Sequence, residues 1–336
     1  AFGRSDDPDA VAASNAVAAG VVVIASAGNE GSAPYIVGSP SVGQGVVSVA
    51  AVDSIGTFPG AALQSGATNL KAINANNAAL PSGNFTVVAL TDDPSTTEDE
   101  SLGCSVSAFT DAFVAAGVSA SDQVIAVVKR GDCGRAAKPV YGQKAGADAV
   151  VMINNDTTDA YPPYEGKITS NPDDNSPFTV TIPFLGVRIS DGPALLGLVG
   201  KTLTMASTSI DNPGYGAYAG FSSGGPVNGD SGLSPNVAAP GVSISSVAVG
   251  TGTDATILSG TSMASPHVAG VAALAVQAHP TWKASQIASA LVATSDPDKV
   301  ENNSITLGGA GLVDPVQAVS TQTFVTGDSY RSKAGK

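Results

Sequence analysis

A serine at residue 262 lies in a stretch whose composition favours nucleophilic chemistry. Residues 260–270 read Gly-Thr-Ser-Met-Ala-Ser-Pro-His-Val-Ala-Gly and lead into an apolar run that ends at residue 278. Glycine before the serine and small residues after it predict a sharp turn into a helix that leaves Ser262 uncovered, with Pro266 in the first helical turn. Apolar residues spread round this helix, which predicts burial on most of its sides. A serine at the positive end of such a helix lies where developing negative charge costs least.

A second candidate segment follows a short apolar run near the amino terminus. Residues 10–19 predict an alanine-rich helix, and residues 21–25, Val-Val-Val-Ile-Ala, predict a parallel strand buried on both faces. The loop at 26–31 then reads Ser-Ala-Gly-Asn-Glu-Gly. Open α/β sheets place their sites in such loops at the carboxyl ends of strands, which makes Asn29 a candidate. The alternative is that Asn29 only forms a turn.

These segments together resemble the subtilisin-like serine proteases. Residues 260–270 resemble the family's nucleophile segment, and residues 26–31 resemble its oxyanion-hole segment. Residues 235–241, Pro-Asn-Val-Ala-Ala-Pro-Gly, resemble the stretch that precedes the nucleophile, except that the family usually has aspartate where Asn236 stands. The resemblance implies that Ser262 is the nucleophile and that the Asn29 amide donates to the oxyanion. It also implies that three residues wall the primary specificity pocket, namely Ser26, Ala27 and Gly28.

The stretch between the two matching parts is too long for a loop in a compact domain, so we expect it to be a domain of its own. Arg-Gly-Asp-Cys at 130–133 and the run 145–155 resemble the protease-associated domain that many subtilases carry as an insertion. That resemblance favours a disulfide between Cys104 and Cys133, with two free thiols as the alternative.

The predicted fold class is therefore α/β. We expect an incomplete, three-layer subtilisin-like domain with a parallel sheet, carrying a small inserted α+β protease-associated domain. Residues 1–56 and 214–322 would form the later part of the catalytic domain, residues 57–213 the insertion, and residues 323–336 a polar tail. Hydrophobic residues make up 43% of the chain and aromatic residues only 5%, a mixture that suits tightly packed α/β layers.

A serine nucleophile needs a base within hydrogen-bonding reach, and the chain has two histidines. His267 follows Ser262 by five residues, which on a helix is about 7.5 Å along the axis and about 140° round it. His279 would lie about 25 Å away at the far end of the same helix. Neither is expected to be the base. In the family an Asp-Thr/Ser-Gly turn and a His-Gly-Thr-His motif precede the serine, and we expect neither motif to occur in this chain.

The resemblance implies that the parent protein is an endopeptidase that hydrolyses peptide bonds through an acyl-serine intermediate. The chain begins with neither an initiator methionine nor a signal peptide, so we expect it to start inside a larger protein and to be inactive alone. One alternative is a non-catalytic pseudoprotease or binding module that uses the insertion to hold partners. Another is an esterase or peptide ligase built on the same nucleophile.

Charge and hydropathy narrow the expected partners. The net charge is −13 with no basic cluster, which argues against nucleic acid and anionic membranes, and no apolar stretch reaches about 18 residues. Protein or peptide substrates are expected, and the acidic bias fits a secreted protein. No organic cofactor is implied and no metal ligand is assigned. Calcium is common in the family, but no ligand set is identified, and the acidic run 91–100 is interpreted as a solvated loop with adventitious calcium as the alternative.

Overall fold

A computed structural model describes residues 2–119, 121–253 and 255–325. The chain divides into two compact units. The first comprises the residues up to 56, residues 213–245 and the residues from 258 onward, and the second comprises residues 57–212 and 246–257. The sequence-based division placed residues 246–257 in the catalytic domain, whereas in the structure they group with the second unit. Only residues 323–325 of the predicted polar tail lie within the described part of the chain.

The helices and strands are numbered in chain order. The helices are α1 (Pro8–Ala18), α2 (Val106–Ala115), α3 (Ala137–Lys144), α4 (Gly192–Leu196), α5 (Thr261–Ala278), α6 (Ala284–Ala293), α7 (Ile305–Gly308) and α8 (Pro315–Ser320). The first six strands are β1 (Ile24–Ser26), β2 (Val47–Val52), β3 (Thr57–Ser65), β4 (Thr68–Asn74), β5 (Phe85–Ala89) and β6 (Val124–Lys129). The others are β7 (Ala149–Ile153), β8 (Phe184–Val187), β9 (Thr202–Asp211), β10 (Val237–Pro240), β11 (Ile244–Val247) and β12 (Ala255–Leu258).

The first unit is built on a parallel sheet of three strands in the order β1-β2-β10. All six residues of the central strand β2 are buried, as expected for a strand covered on both faces. Small and β-branched side chains of the sheet pack with one side of α5 and with α6 in a single apolar core. Because the strands are parallel, their carboxyl ends meet at one edge, and the loop that begins at Ala27 leaves the sheet there. The predicted α/β class with a parallel sheet is confirmed.

Helix α5 differs from its prediction in two respects. Pro266 is the sixth residue of the helix instead of a first-turn residue, so the Ser262 carbonyl receives no N–H from the residue four positions on. The helix is also buried along one side only: Val268 and Ala275 are buried, whereas Leu274 is 48% exposed. Alanine and glycine occupy much of the exposed side of the helix. The periodicity of apolar residues alone could not distinguish this exposed side from a buried one.

Two predicted strands are shorter than expected. The run 21–25 yields only the three-residue strand β1, and Val21 before it is 52% exposed because β1 pairs on one side only, with β2. The sequence also predicts a strand over residues 244–249, but β11 ends at Val247 and pairs with β12 in a two-stranded sheet of largely exposed residues.

The second unit is a closed barrel with the strand order β3-β4-β8-β7-β6-β5-β9. Its strands β5, β6, β7 and β8 are parallel neighbours. Alternate residues of β6 enter two different cores: Ile125 and Val127 pack in one, and Val124, Ala126 and Val128 pack in the other with α2 and α3. This period of two is the side-chain alternation of a strand covered on both faces. Cys104 and Cys133 are joined in a disulfide, which confirms that prediction.

The second unit has its own cores, so we predict that residues 57–213 produced alone unfold cooperatively. Within that fragment Leu185→Ala should lower the free energy of unfolding by about 2–5 kcal/mol, because Leu185 is fully buried in the barrel core. Leu196→Ala is the matched control, since Leu196 is 40% exposed, and its cost should be well under that of Leu185→Ala. Urea titrations followed by circular dichroism measure both. A broad, non-cooperative transition of the parent fragment would contradict the prediction.

Candidate active site

Asn29 and the start of α5 are joined by hydrogen bonds across 232 residues of sequence. The Asn29 Oδ1 atom accepts from the backbone N–H of Thr261 at 3.0 Å and from the Thr261 hydroxyl at 2.9 Å. The Thr261 Oγ1 atom accepts in turn from the N–H of Gly28 at 3.2 Å. The side-chain oxygen of Asn29 is thus occupied by Thr261. The amide nitrogen of Asn29, which has two N–H donors, lies next to Gly260, where a Cβ atom would be 3.4 Å from it.

The Asn29 contact also explains where α5 begins. The cap residue Gly260 has no side chain that can accept from the first turn. The N–H of Met263 donates to the Gly260 carbonyl at 3.0 Å, but the N–H of Thr261 needs an acceptor from outside the helix. Asn29 supplies that acceptor from a distant loop, in the manner of an ordinary N-cap side chain. Helix α5 therefore starts at Thr261 and places the exposed Ser262 at its second position, directly after the residue that Asn29 binds.

The turn that leads into Ser262 is fixed by close backbone packing. The N–H of Gly260 donates to the carbonyl of Gly241 at 2.8 Å. A Cβ atom at Gly241 would lie 2.6 Å from the Cβ of Ala51 in the central strand and 2.9 Å from the carbonyl oxygen of Gly260. Only glycine permits this approach, so the Ala-Pro-Gly end of the 235–241 segment holds the nucleophile turn against β2.

The Asn29 loop is held from its other side by Ser223. The N–H of Glu30 donates to Ser223 Oγ at 3.0 Å, and the N–H of Ser223 donates to the carbonyl of Gly28 at 3.0 Å. Gly28 has a φ of +114°, and a Cβ there would lie 2.8 Å from Ser223 Oγ. Glycine is therefore required at position 28 both for its conformation and for space.

The three residues expected to wall a specificity pocket differ in what they expose. Ser26 and Gly28 are half-buried. Ala27 is fully buried in a small core with Ala10 and Val37, and its N–H donates to Val49 while its carbonyl accepts from Gly38. The side chain of Ala27 is therefore part of the core, and a wall at this position would consist of backbone.

Both histidines make contacts other than with Ser262. His267 lies on the exposed side of α5, where its Nδ1–H donates to the carbonyl of Met263 at 2.8 Å. His279 is buried at the end of α5, where its Nε2–H donates to the carbonyl of Val319 at 3.0 Å and its ring stacks on Trp282 with centroids 3.9 Å apart. Both histidines follow Ser262 along one continuous helix. Each is therefore separated from Ser262 by the distance along the helix that the sequence predicts.

One statement of the sequence analysis needs correction. An Asp-Ser-Gly tripeptide does occur, at residues 230–232, although it was not assigned. The Asp230 carboxylate accepts from the Ser5 hydroxyl and from the N–H of Gly232, both at 2.9 Å. It therefore closes a local turn and ties that turn to Ser5, and it follows the Asn29 loop in the chain instead of preceding it.

Two residues of the site were missed by the sequence analysis. Thr261 was quoted in the segment 260–270 without a role, and Ser223, in the run Phe-Ser-Ser-Gly-Gly-Pro at 221–226, was given no role either. Each carries a hydroxyl next to a glycine-rich turn, which is the local signal that could have marked them. Their partners lie about 200 residues away in the chain, however, so only the structure identifies what they bind.

Metal and membrane sites were also sought. Within residues 2–119, 121–253 and 255–325, no group of three or more His, Cys, Asp or Glu side chains could hold a metal ion. Over the same described ranges, no helix has both the length and the apolar character needed to cross a membrane.

We predict that Thr261→Val lowers the free energy of unfolding by about 1–3 kcal/mol, because it leaves the Gly28 N–H without its acceptor and removes one bond to Asn29. The neighbouring change Ser262→Ala is the control and should stay within about 0.5 kcal/mol, since Ser262 is exposed. Urea unfolding of the 336-residue chain measures both. Equal effects of the two substitutions would contradict the structural role of Thr261.

Comparisons with known proteins agree with this geometry. The chain is 29% identical to the minor extracellular protease Vpr of Bacillus subtilis, in an alignment that covers 94% of this chain and 37% of that protein. The chain is also 29% identical to the PI-type proteinase of Lactococcus lactis subsp. cremoris over 81% of this chain and 15% of that protein. The chain thus spans well under half the length of both relatives.

A solved structure gives a weaker comparison. The psychrophilic subtilisin-like protease Apa1 from the Antarctic psychrotroph Pseudoalteromonas sp. AS-11 aligns with 95% of this chain and 68% of its own, at 19% identity and a TM-score of 0.37. That score is too low to establish a shared fold. The sequence comparison is decisive instead: the model described as the subtilase family matches residues 1–311. The chain belongs to the subtilase family.

Proposed function

We propose that this chain is the serine-bearing part of a secreted serine endopeptidase, with Ser262 as the nucleophile and Asn29 as the oxyanion donor. The observation that carries the proposal is the pair of hydrogen bonds from Thr261 to Asn29 Oδ1. They hold the Asn29 side chain at the start of α5, where its amide nitrogen lies next to Gly260 and where Ser262 is exposed. The relatives are proteases, and one of them is named as extracellular.

In the proposed reaction the Ser262 hydroxyl oxygen attacks the carbonyl carbon of a peptide bond. The hydroxyl proton passes to a base, and the carbonyl oxygen becomes an oxyanion that the Asn29 Nδ2–H stabilises together with the positive end of α5. The amine then leaves with a proton from the same base, and water hydrolyses the acyl-serine. A donor that is already oriented costs no reorganisation as the oxyanion forms.

The base must come from outside these 336 residues. The chain has two histidines: His267 on α5 donates to the Met263 carbonyl of the same helix, and His279 at the end of α5 donates to the Val319 carbonyl of α8. Without a base the Ser262 hydroxyl stays protonated at neutral pH. We therefore propose that the complete protein supplies the histidine and aspartate of the family, and that the chain alone is inactive.

Substrates are proposed to be proteins or peptides whose side chain lies against the backbone of residues 26–28. The second unit is proposed to be an insertion of the protease-associated type. Its sequence signals at 130–133 and 145–155 support this assignment. The separate cores of its barrel are consistent with an inserted domain.

Asn29→Ala and Asn29→Asp, made in the complete protease, separate the two tasks of Asn29. Both remove the amide donor, so both should lower kcat by about 10²–10³, the loss known for an oxyanion donor in subtilisin, with little change in KM. Only Asn29→Asp keeps an acceptor for Thr261, so only Asn29→Ala should also cost about 1 kcal/mol of stability. Steady-state kinetics and urea unfolding give the readouts. An unchanged kcat in both variants would remove Asn29 from the site.

The 336-residue chain should fail to react with a serine-directed phosphonate, whereas the complete protease should be labelled at Ser262. The physical reason is the missing base, since removing a triad member leaves only residual catalysis. Intact-mass spectrometry measures the adduct, and Ser262→Ala is the control in both proteins. Stoichiometric labelling of the short chain would contradict the proposal. Absence of labelling in the complete protease would favour a non-catalytic binding protein.

A further inference from the structure

A buried lysine lies against the disulfide of the second unit. Lys138, on α3, has no exposed surface. Its ammonium nitrogen donates to the carbonyl of Leu102 at 2.5 Å and to the carbonyl of Gly131 at 3.0 Å. Each carbonyl belongs to a residue two positions before a half-cystine, so Lys138 ties together the same two loops that the disulfide joins.

The same ammonium group contacts both sulfur atoms. The Lys138 Nζ atom is 3.4 Å from Cys133 Sγ and 3.8 Å from Cys104 Sγ. Cys104 Sγ also accepts from the backbone N–H of Cys133 at 3.4 Å. A neutral disulfide gains little from a cation at this distance. A thiolate gains much more, because hydrogen bonds to a charged group are roughly twice as strong as those between neutral groups.

At neutral pH the side chain of Lys138 is mainly in its ammonium form. Burial lowers the pKa of Lys138 to about 8, and the nearby carboxylates of Asp173, Asp132 and Asp99 act in the opposite direction. At pH 7 the side chain is thus largely charged, and the cation is present when a sulfur atom develops negative charge. Both half-cystines are half-buried, so the bond is within reach of a small reagent.

We propose that Lys138 makes the Cys104–Cys133 disulfide a site of thiol–disulfide exchange with small-molecule thiols. The external thiolate attacks Cys104 Sγ and the sulfur–sulfur bond breaks. Cys133, whose sulfur is the nearer of the two to the ammonium group, leaves as a thiolate paired with that charge. A second external thiolate then attacks the external sulfur of the mixed disulfide and releases the Cys104 thiolate. Two thiols are oxidised to one external disulfide, and the protein disulfide is reduced to two thiolates.

The carbonyl contacts of Lys138 give this exchange a structural consequence. The bonds to Leu102 and Gly131 do not involve the sulfur atoms, so they persist after the disulfide opens. Reduction should therefore leave the two loops together and the barrel folded. The inference concerns the second unit alone and does not depend on the proposed peptidase function.

The first test uses the unaltered 336-residue chain. After a short incubation with reduced glutathione at pH 7 and an acid quench, peptide mapping identifies the half-cystine that carries glutathione. The proposal expects the adduct on Cys104. An adduct mainly on Cys133, or none while full reduction by excess dithiothreitol proceeds, would overturn it.

The second test measures the rate of reduction by dithiothreitol at pH 7, with alkylation and mass spectrometry. Lys138→Gln keeps hydrogen-bond donors but removes the charge, and it should slow reduction about tenfold because the leaving thiol loses its cation. Lys144→Gln, on the same helix but exposed, is the matched control and should leave the rate unchanged. A rate for folded Lys138→Gln within twofold of the parent would overturn the proposal.

A third measurement is needed because Lys138→Gln could open the fold, expose the disulfide and so raise its rate of reduction. In Cys104→Ser the remaining Cys133 thiol is titrated through the ultraviolet absorbance of its thiolate, with and without Lys138→Gln. The proposal expects the Cys133 pKa to be lower when Lys138 is present. The same pKa in both variants would overturn it. Circular dichroism after reduction of the parent chain should show a folded barrel, and loss of the fold would contradict the role of the carbonyl contacts.

Discussion

The hydrogen bonds from Thr261 to Asn29 Oδ1 are the contact on which the candidate active site depends. They join a loop that leaves β1 to the first residue of α5, two segments that the chain separates by 232 residues. The same contact caps the helix that carries Ser262 and orients the amide that would receive an oxyanion. Capping and orientation are thus one interaction, and a change that disturbs the helix start also disturbs the donor.

The parallel sheet provides the platform for this contact. The central strand β2 is buried along its whole length, and the Asn29 loop and Gly241 follow its two neighbours at the carboxyl edge. Gly241 packs closely on Ala51 and binds the turn before Ser262, and Ser223 holds the Asn29 loop through its hydroxyl and its backbone N–H. Preorganisation therefore comes from backbone packing more than from long side chains, which fits a chain rich in alanine and glycine.

Elements with strong local signals were predictable from sequence, and those set by distant contacts were not. The sequence predicts strands over residues 46–52, 124–128 and 149–153 and a helix over residues 284–293, and β2, β6, β7 and α6 lie within a residue of these bounds. The position of Pro266 in α5 could not be predicted, because the helix start is fixed by Asn29 and not by a local cap. The exposed side of α5 and the shortness of β1 depend on what packs beside them. Thr261 and Lys138 acquire their roles only from partners that the sequence pattern does not reveal.

The central claim is that the Asn29 amide is already fixed in the absence of substrate. Relaxation of the side-chain NH₂ group of Asn29, measured by ¹⁵N NMR on the 336-residue chain, tests this directly. A bound acceptor oxygen predicts an order parameter near that of rigid backbone, about 0.85. It also predicts a clear drop in Thr261→Val, where one of the two bonds to Oδ1 is lost. An order parameter under about 0.6 in the unaltered chain would contradict the account, because a rotating amide is not a prepared oxyanion donor.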